Sequence, residues 1–444
     1  MSTQQDYLSM IYYKVVDKIF GDPLKHTDAE SDSEMERNPD QLTVIILERK
    51  NKELMDMLKK PSTPPRMEVT IRRDRILEDS YNTITPWFGK STLLHAKIKV
   101  KFVGEYGQDC GGLTREWFTE ISKQLVNPKF GLFRLSTLDN STLIPVSYQK
   151  KKHMSLVDST IFYRWFSGSS SGEIDRLLYY QFFGLIVGKA IYENQLMDCH
   201  FSRSFYKLIL NLEPDFSDLE AEDPVYFKNI MGMMDYSVED AMLDLTFSAE
   251  EQLPDGQIKT VDLKTNGRHV AVTDDNKFEY ITLLVRHKLV DSIQQQVDAF
   301  KKGLFQVIPA PALCSLFDEN ELELLICGLP SIDVRDLKAN TQYLGGYTAY
   351  SPQIRWFWEI VGAYSSEQKA KLLQFITGTT KVPPGGFANR KVTIIGIDLH
   401  NPHRLPSSAT CFDQLLLPRY KDRSTLAARL LTAVNYASVG FGRA

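Results

Sequence analysis

From Leu177 to Ile191 the chain is apolar nearly all the way round a helix, with Phe182-Phe183-Gly184-Leu185-Ile186-Val187 at its centre. A surface helix keeps one polar face; a helix that lacks one is buried by other elements. This stretch therefore demands a fold with enough layers to enclose it. A bilayer would enclose it too, but Lys189 interrupts the run well before the ~20 apolar residues that a membrane span needs. No membrane span is expected. The 444 residues leave room for two or three domains.

The flanking patterns divide the chain. Leu8, Ile11, Tyr12, Val15, Val16 and Ile19 recur at helical spacing. Residues 27–40 carry Asp28, Glu30, Asp32, Glu34 and Glu36 with little apolar content, and read as a solvated linker. A helix is expected from Leu42 to Lys60, stopped by Pro61, Pro64 and Pro65. From Met67 onward the chain reads as one continuous folded unit. Lys97, Lys99 and Lys101 alternate with Ile98, Val100 and Phe102, a strand with one wet face. Helices are expected over 114–125, 278–306 and 319–327, the last closed by Gly328.

The last hundred residues change rhythm. Ser351-Pro352 reads as an N-cap with proline at the first helical position. Ser365 and Gln368 form a capping box for a helix stopped by Gly378. Residues 392–397 and 412–417 read as strands, and Ser424 starts a final helix. This small α/β lobe joins the rest through Thr341-Gln342-Tyr343-Leu344-Gly345-Gly346, where the paired glycines lower the cost of a changing backbone. The division is then 1–65, N-terminal helices and acidic linker; 66–340, a larger lobe; 341–346, a hinge; and 347–444, a small lobe.

Composition excludes several functions. A net charge of −4 announces no surface for nucleic acid. No Lys/Arg-rich start is followed by an apolar core, so no secretory signal is expected. The five cysteines are odd in number, scattered and never paired as CxxC, which points to a reducing compartment, cytosol or nucleus. Cys199, Cys314 and Cys327 stand in apolar helical contexts and read as inert packing. His400, His403 and Cys411 are too thin a set for a metal site, and none is expected. Gly104, Gly107, Gly111 and Gly112 cluster without the Gly-Lys-Ser/Thr that a phosphate loop requires.

Cys411 has an unusual setting. It lies between Thr410 and Phe412, with Pro406 and Pro418 on either side and an apolar C-terminus beyond. Other motifs precede it in order: Gly104-Glu105-Tyr106-Gly107 with Gly111-Gly112, Arg115-Glu116-Trp117-Phe118, Gly188-Lys189-Ala190-Ile191-Tyr192, Glu321 to Gly328, Trp356-Phe357-Trp358, and Leu372 to Thr379 with Val382-Pro383. In that order they resemble the HECT-type ubiquitin ligases over Met67 to Ala444.

The resemblance implies an α+β bilobal HECT fold: a larger, mainly helical N-lobe, and a small α/β C-lobe joined to it by a flexible hinge at Tyr343, Leu344, Gly345 and Gly346. It makes Cys411 the nucleophile that accepts ubiquitin as a thioester and passes it to a substrate lysine. Thr410 would bond within the cysteine loop, and Phe441 would assist lysine transfer. A subdomain at about 200–290 would grip a conjugating enzyme through Tyr226, Ile230, Met233, Tyr236, Tyr280 and Leu284. Aromatics and methionines at helical offsets suit an apolar groove for a partner loop, and equally suit a core. The partners implied are ubiquitin and a conjugating enzyme; no cofactor is implied.

Two positions depart from the family pattern. Ala409 stands where the family usually has histidine, and Cys110 where one branch has tyrosine. Asp413 reads as a solvated strand residue or as an attractor for a lysine ammonium. Substrate selection in the family lies N-terminal to the catalytic domain, and residues 1–65 show no recognisable module for it. Two other readings compete: a degenerate HECT scaffold that binds a conjugating enzyme without catalysis, and a cysteine hydrolase, for which no histidine-asparagine signature is readable.

Overall fold

Helix α1 (Pro39–Met57) opens with proline, whose fixed φ suits a first turn, and sends Leu47 and Leu54 into the core. The computed structural model describes residues 39–58, 65–90, 94–105, 111–147, 176–241, 244–252, 258–329, 331–383, 386–388, 390–398 and 404–437. The helix expected near residues 8–19, the acidic linker up to residue 38, Cys110, His400, His403 and Phe441 lie outside them, and the last two residues of the expected linker belong to α1.

Strand β1 (Arg66–Ile71), helix α2 (Ile76–Ile84) and strand β2 (Lys97–Phe102) follow, β1 and β2 pairing in parallel. Ile98, Val100 and Phe102 are buried while Lys97 and Lys101 face water, as their alternation predicts. Helix α3 (Gly112–Leu125) packs on β2 and buries Trp117, whose indole N–H donates to Ser80 Oγ at 2.8 Å. The hairpin β3 (Phe133–Leu135) and β4 (Leu143–Pro145) precedes α4 (Arg176–Tyr192).

Helix α4 is the helix without a polar face, and it is buried continuously from Tyr179 to Tyr192. Its one ammonium is fully enclosed. Lys189 Nζ donates to the carbonyls of Leu94 (3.0 Å) and Ala96 (2.6 Å) and pairs with Glu193 at 2.9 Å. Burial pulls its pKa down, and these acceptors keep the charge tolerable. Helix α5 (Arg203–Ile209) packs into the same core through Phe205, Tyr206 and Leu208.

An insertion with a separate core then begins. It comprises α6 (Phe216–Glu222), α7 (Pro224–Met231), the hairpin β5 (Ser248–Gln252) and β6 (Ile258–Asp262), and α8 (Lys277–Leu289). Leu219, Ile230, Phe247, Ile281 and Leu284 pack together there. Residues 203–210 belong to the main core instead, so the insertion starts later than residue 200. The single helix expected over 278–306 is two: α8 ends at Leu289, a 3-10 turn spans Asp291–Ile293, and α9 (Gln294–Leu304) returns to the main core. One apolar periodicity serves two cores, and the break between them carries no proline or glycine.

Helix α9 lies on α4 at backbone contact. A Cβ on Gly184 would stand 1.9 Å from Phe300 O, and one on Gly303 would stand 1.8 Å from Gln181 O, so only glycine fits either place. Helices α10 (Ala310–Leu316) and α11 (Glu319–Cys327) complete the lobe, α11 starting in an Asp318–Glu321 capping box.

At Gly328 the chain changes cores. Cys327 is buried in the large lobe, whereas Leu329 packs on the small one and bridges Val382. Helix α12 (Val334–Ala339) already belongs to the small lobe, burying Leu337 there, and Asp336 Oδ2 accepts from Phe387 N at 2.8 Å. The next segment, β7 (Gln342–Leu344), is an edge strand. The lobe then runs through α13 (Pro352–Gly362), α14 (Ser366–Thr377), β8 (Thr393–Ile397), β9 (Ser407–Ala409), β10 (Gln414–Pro418) and α15 (Arg423–Ala437). The sheet order is β7-β8-β10-β9, with β7 and β10 parallel to β8 and β9 antiparallel to β10.

The capping box at Ser365 forms as expected. Ser351 does not cap its helix through its side chain; its Oγ accepts from Thr348 N at 3.0 Å instead. Among the described residues, no helix is long and apolar enough to cross a membrane.

Candidate functional site

Strands β9 and β10 run antiparallel, with Ala409 opposite Gln414, and the chain between them closes in a 3-10 turn, Thr410–Phe412. Cys411 is the middle residue of that turn. Asp413 leaves it in the left-handed region (φ 52°, ψ 45°), a conformation that aspartate and asparagine tolerate better than most residues. Its carbonyl accepts from Thr393 N at 3.0 Å, which ties the turn to β8. Phe412 is 60% exposed.

The turn rests on two helices from different lobes, α14 below it and α3 across from it. Gly378 ends α14 at φ 77°, and a Cβ there would touch Thr410. From α3, Arg115 reaches across the gap. Its Nη1 donates to Asp413 Oδ1 at 2.6 Å and to Thr377 O at 2.9 Å, and its Nη2 donates to Thr410 O at 3.0 Å. Arg390, within the small lobe, bonds the same two partners: Nη2 to Asp413 Oδ1 at 2.9 Å and to Thr377 O at 3.0 Å. Burial lowers the Arg390 pKa and Asp413 opposes that shift. Two guanidinium groups at the last carbonyl of α14, that of Thr377, also complement its dipole.

Asp413 is therefore neither a solvated strand residue nor a free attractor for lysine; it is the centre of a clamp. Arg115 stood in a motif without an assigned role, and Arg390 carried no signal. A cleft of about 600 Å³ opens beside the clamp, lined by Lys97, Lys99, Glu193, Thr379 and Arg390 among others. A second tie joins the lobes. Lys381 Nζ lies 3.1 Å from Asp198 Oδ1 and 3.0 Å from His200 Nε2, while His200 Nδ1 lies 2.9 Å from Glu323. Contacts with Cys327 and then Glu323 push the His200 pKa up. The Lys381 ammonium opposes that shift, and its distance is that of a donor to a neutral ring nitrogen. We assign the neutral ring on that geometry.

The inserted subdomain divides its expected residues. Ile230, Tyr280 and Leu284 are core, at 3%, 6% and 5% exposure. Tyr226 and Met233 pack partly against that core, Tyr226 beneath Lys288 Nζ at 4.8 Å with its phenol pushed up to about 12 by burial. Tyr236 faces solvent, and its carbonyl accepts from Lys277 Nζ at 2.8 Å. Val225, Met234 and Phe278 are also exposed in this subdomain, with Phe278 stacked on Phe216. Sequence reasoning missed these three. Phe278 sits two positions from Tyr280, hence on another face of α8.

The hinge expectation meets a different geometry. Tyr343 and Leu344 lie in β7, and Tyr343 Oη accepts from Trp358 Nε1 at 2.9 Å. Gly345 and Gly346 have φ of 62° and 79°, and a Cβ on Gly345 would stand 2.4 Å from Gly396 O. All four are built into the small lobe. Cys199 and Cys327 are buried, and Cys327 Sγ donates to Cys199 O at 3.2 Å.

Comparison with known proteins adds the following. The model of the HECT-domain (ubiquitin-transferase) family matches residues 119–444. An E3 ubiquitin-protein ligase TOM1-like protein of Neurospora crassa is 40% identical over 389 residues, 86% of this chain and 9% of that protein. E3 ubiquitin-protein ligase UPL1 of Arabidopsis thaliana is 40% identical over 85% of this chain and 10% of its own length. E3 ubiquitin-protein ligase HUWE1 of Mus musculus is 39% identical over 85% of this chain and 8% of its own. The chain thus matches about a tenth of the length of each of these relatives.

Proposed function

This chain belongs to the HECT-domain (ubiquitin-transferase) family, and from that premise we propose that it accepts ubiquitin from a conjugating enzyme on Cys411 and passes it to a substrate lysine. The observation that carries the proposal is the position of Cys411: in the β9–β10 turn, inside the matched region, with the turn packed against a helix of each lobe. Thr410 contributes its carbonyl to that contact.

The chemistry asks little more of the site. Exchange between two thioesters is nearly balanced in bond energy, so it needs positioning and a thiolate. Free cysteine, with a pKa of ~8.5, supplies a few per cent of thiolate at neutral pH. The lysine amine then attacks the thioester carbonyl, the thiolate leaves, and an isopeptide bond forms downhill. The exposed Val225, Met234, Tyr236 and Phe278 form the apolar patch where the conjugating enzyme docks, and Phe441 assists the lysine step. Scattered cysteines support a cytosolic or nuclear location.

The test is a non-reducing gel after mixing the protein with ubiquitin, ATP, activating enzyme and a conjugating enzyme. A ubiquitin adduct that thiol reductant removes, and that Cys411→Ala abolishes, is the expected result. No adduct with several conjugating enzymes, while one of them still binds, would establish the non-catalytic scaffold.

A further inference from the structure

Arg115 belongs to the large lobe, yet three of its described side-chain hydrogen bonds reach into the small one. Nε holds Gly111 O at 3.1 Å on its own side. Nη1 and Nη2 reach Thr377 O, Asp413 Oδ1 and Thr410 O, all in the small lobe. Thr410 is bonded directly to Cys411, so the guanidinium fixes the backbone one residue from the thiol. The ion pair is not a surface pair: the Arg115 and Asp413 side chains are 13% and 18% exposed. A planar fork with several donors meets this set of acceptors as an ammonium cannot.

The other half of the clamp stays with the small lobe. Arg390 bonds both Asp413 and Thr377 O from within that lobe. If the lobes separate, Asp413 and the end of α14 keep one guanidinium, and Arg115 keeps Gly111 O. No buried charge is stranded, which is the usual cost of breaking such a pair. The contact is therefore built to open and close.

The apolar patch of the subdomain gives the contact a direction. Val225 lies on α7 and Phe278 on α8, both packed on α6, Met234 and Tyr236 lie on the turn that follows α7, and none of the described interlobe bonds involves them. Loading from a partner seated there need not use the placement of the turn that Arg115 holds.

We infer that Arg115 is a positioning residue for the second step: it latches the Cys411 turn onto the large lobe for lysine transfer and releases it for loading. The inference rests on the proposed thioester function.

The experiment follows each step in a single turnover of the full chain. Loading is read as the rate of the Cys411 adduct from a charged conjugating enzyme. Discharge is read as the loss of that adduct to free lysine once recharging has been stopped. Arg115→Ala is expected to load as fast as wild type or faster and to discharge about tenfold more slowly, the loss of one or two charge-assisted hydrogen bonds. Asp413→Asn, which tolerates the left-handed backbone, should slow the same step alone, and Arg115→Lys should recover part of the rate. Equal slowing of both steps with a lowered melting temperature, in Arg115→Ala and Asp413→Asn alike, would reduce the clamp to a structural role and overturn the inference. So would unchanged discharge. A wild-type protein that binds a charged conjugating enzyme but forms no adduct overturns the underlying function instead, and the latch with it.

Discussion

Phe278 and Tyr280 are two residues apart on α8, 58% and 6% exposed respectively. Phe278→Ala should weaken binding of the conjugating enzyme about tenfold, as truncation of an exposed aromatic anchor does, and leave the melting transition in place. Tyr280→Ala should cost about 3–5 kcal/mol of stability, read from denaturant unfolding. Equal destabilisation by both would place Phe278 in the core and remove it from the docking patch. The family resemblance marked Tyr280, and aromatics at helical offsets suited a groove and a core alike, because periodicity reports a face and not which side of it is covered. Asp413 was misread for a different reason. Its first partner, Arg115, is 298 residues away in the chain, and no local pattern carries that pairing. Cys411, by contrast, was marked by its neighbours Thr410 and Phe412 together with the ordered motifs that precede it, which carry the family resemblance.

Elements were easier to read than their ends. Helix α4 was evident because a helix with no polar face has one fate. The glycines that let it touch α9 became meaningful only once the two helices were side by side. Gly303→Ala gains helix propensity but drives a methyl into Gln181 O, and we expect a net loss of about 1–3 kcal/mol in the unfolding midpoint. A neutral or stabilising outcome would mean that the helices can slide apart. Helix α6 carries a pH-dependent cap. Asp215 accepts from Ser217 N at 2.8 Å, and its pKa is lowered to about 2, first by the Ser217 side chain and further by Lys207. Because the folded value lies below the unfolded ~3.9, the stabilisation is complete above that value and fades as pH falls toward 2. Asp215→Ala should cost ~1 kcal/mol at neutral pH and converge with wild type near pH 2. A constant difference across that range would assign the effect to packing. The α8–α9 break escaped notice because an apolar repeat that passes from one core to another keeps its period.

At the scale of the molecule, two lobes were legible from the change of rhythm near residue 345, but the boundary lies earlier. The sequence placed it at the paired glycines because glycine permits bending. The structure uses those glycines to close β7 against β8, where a Cβ would collide with Gly396. The core changes hands at Gly328, and α12 and β7 fold with the small lobe: Leu337 is buried in its core and Tyr343 packs against it. Two fragments separate the possibilities. A chain from Leu329 to Ala444 retains α12, the edge strand and the Asp336–Phe387 bond, and should melt cooperatively with the circular dichroism of a mixed sheet. A chain from Tyr347 to Ala444 loses a strand of a four-stranded sheet and exposes its neighbour. It should be unfolded or aggregate, since an uncovered edge invites pairing. If the shorter fragment folds as well as the longer one, residues 329–346 are a linker after all, and the hinge returns to Gly345 and Gly346. If only the longer fragment folds, reorientation of Cys411 pivots at Gly328, directly after the helix that carries Glu323, with the Lys381 tie beside it.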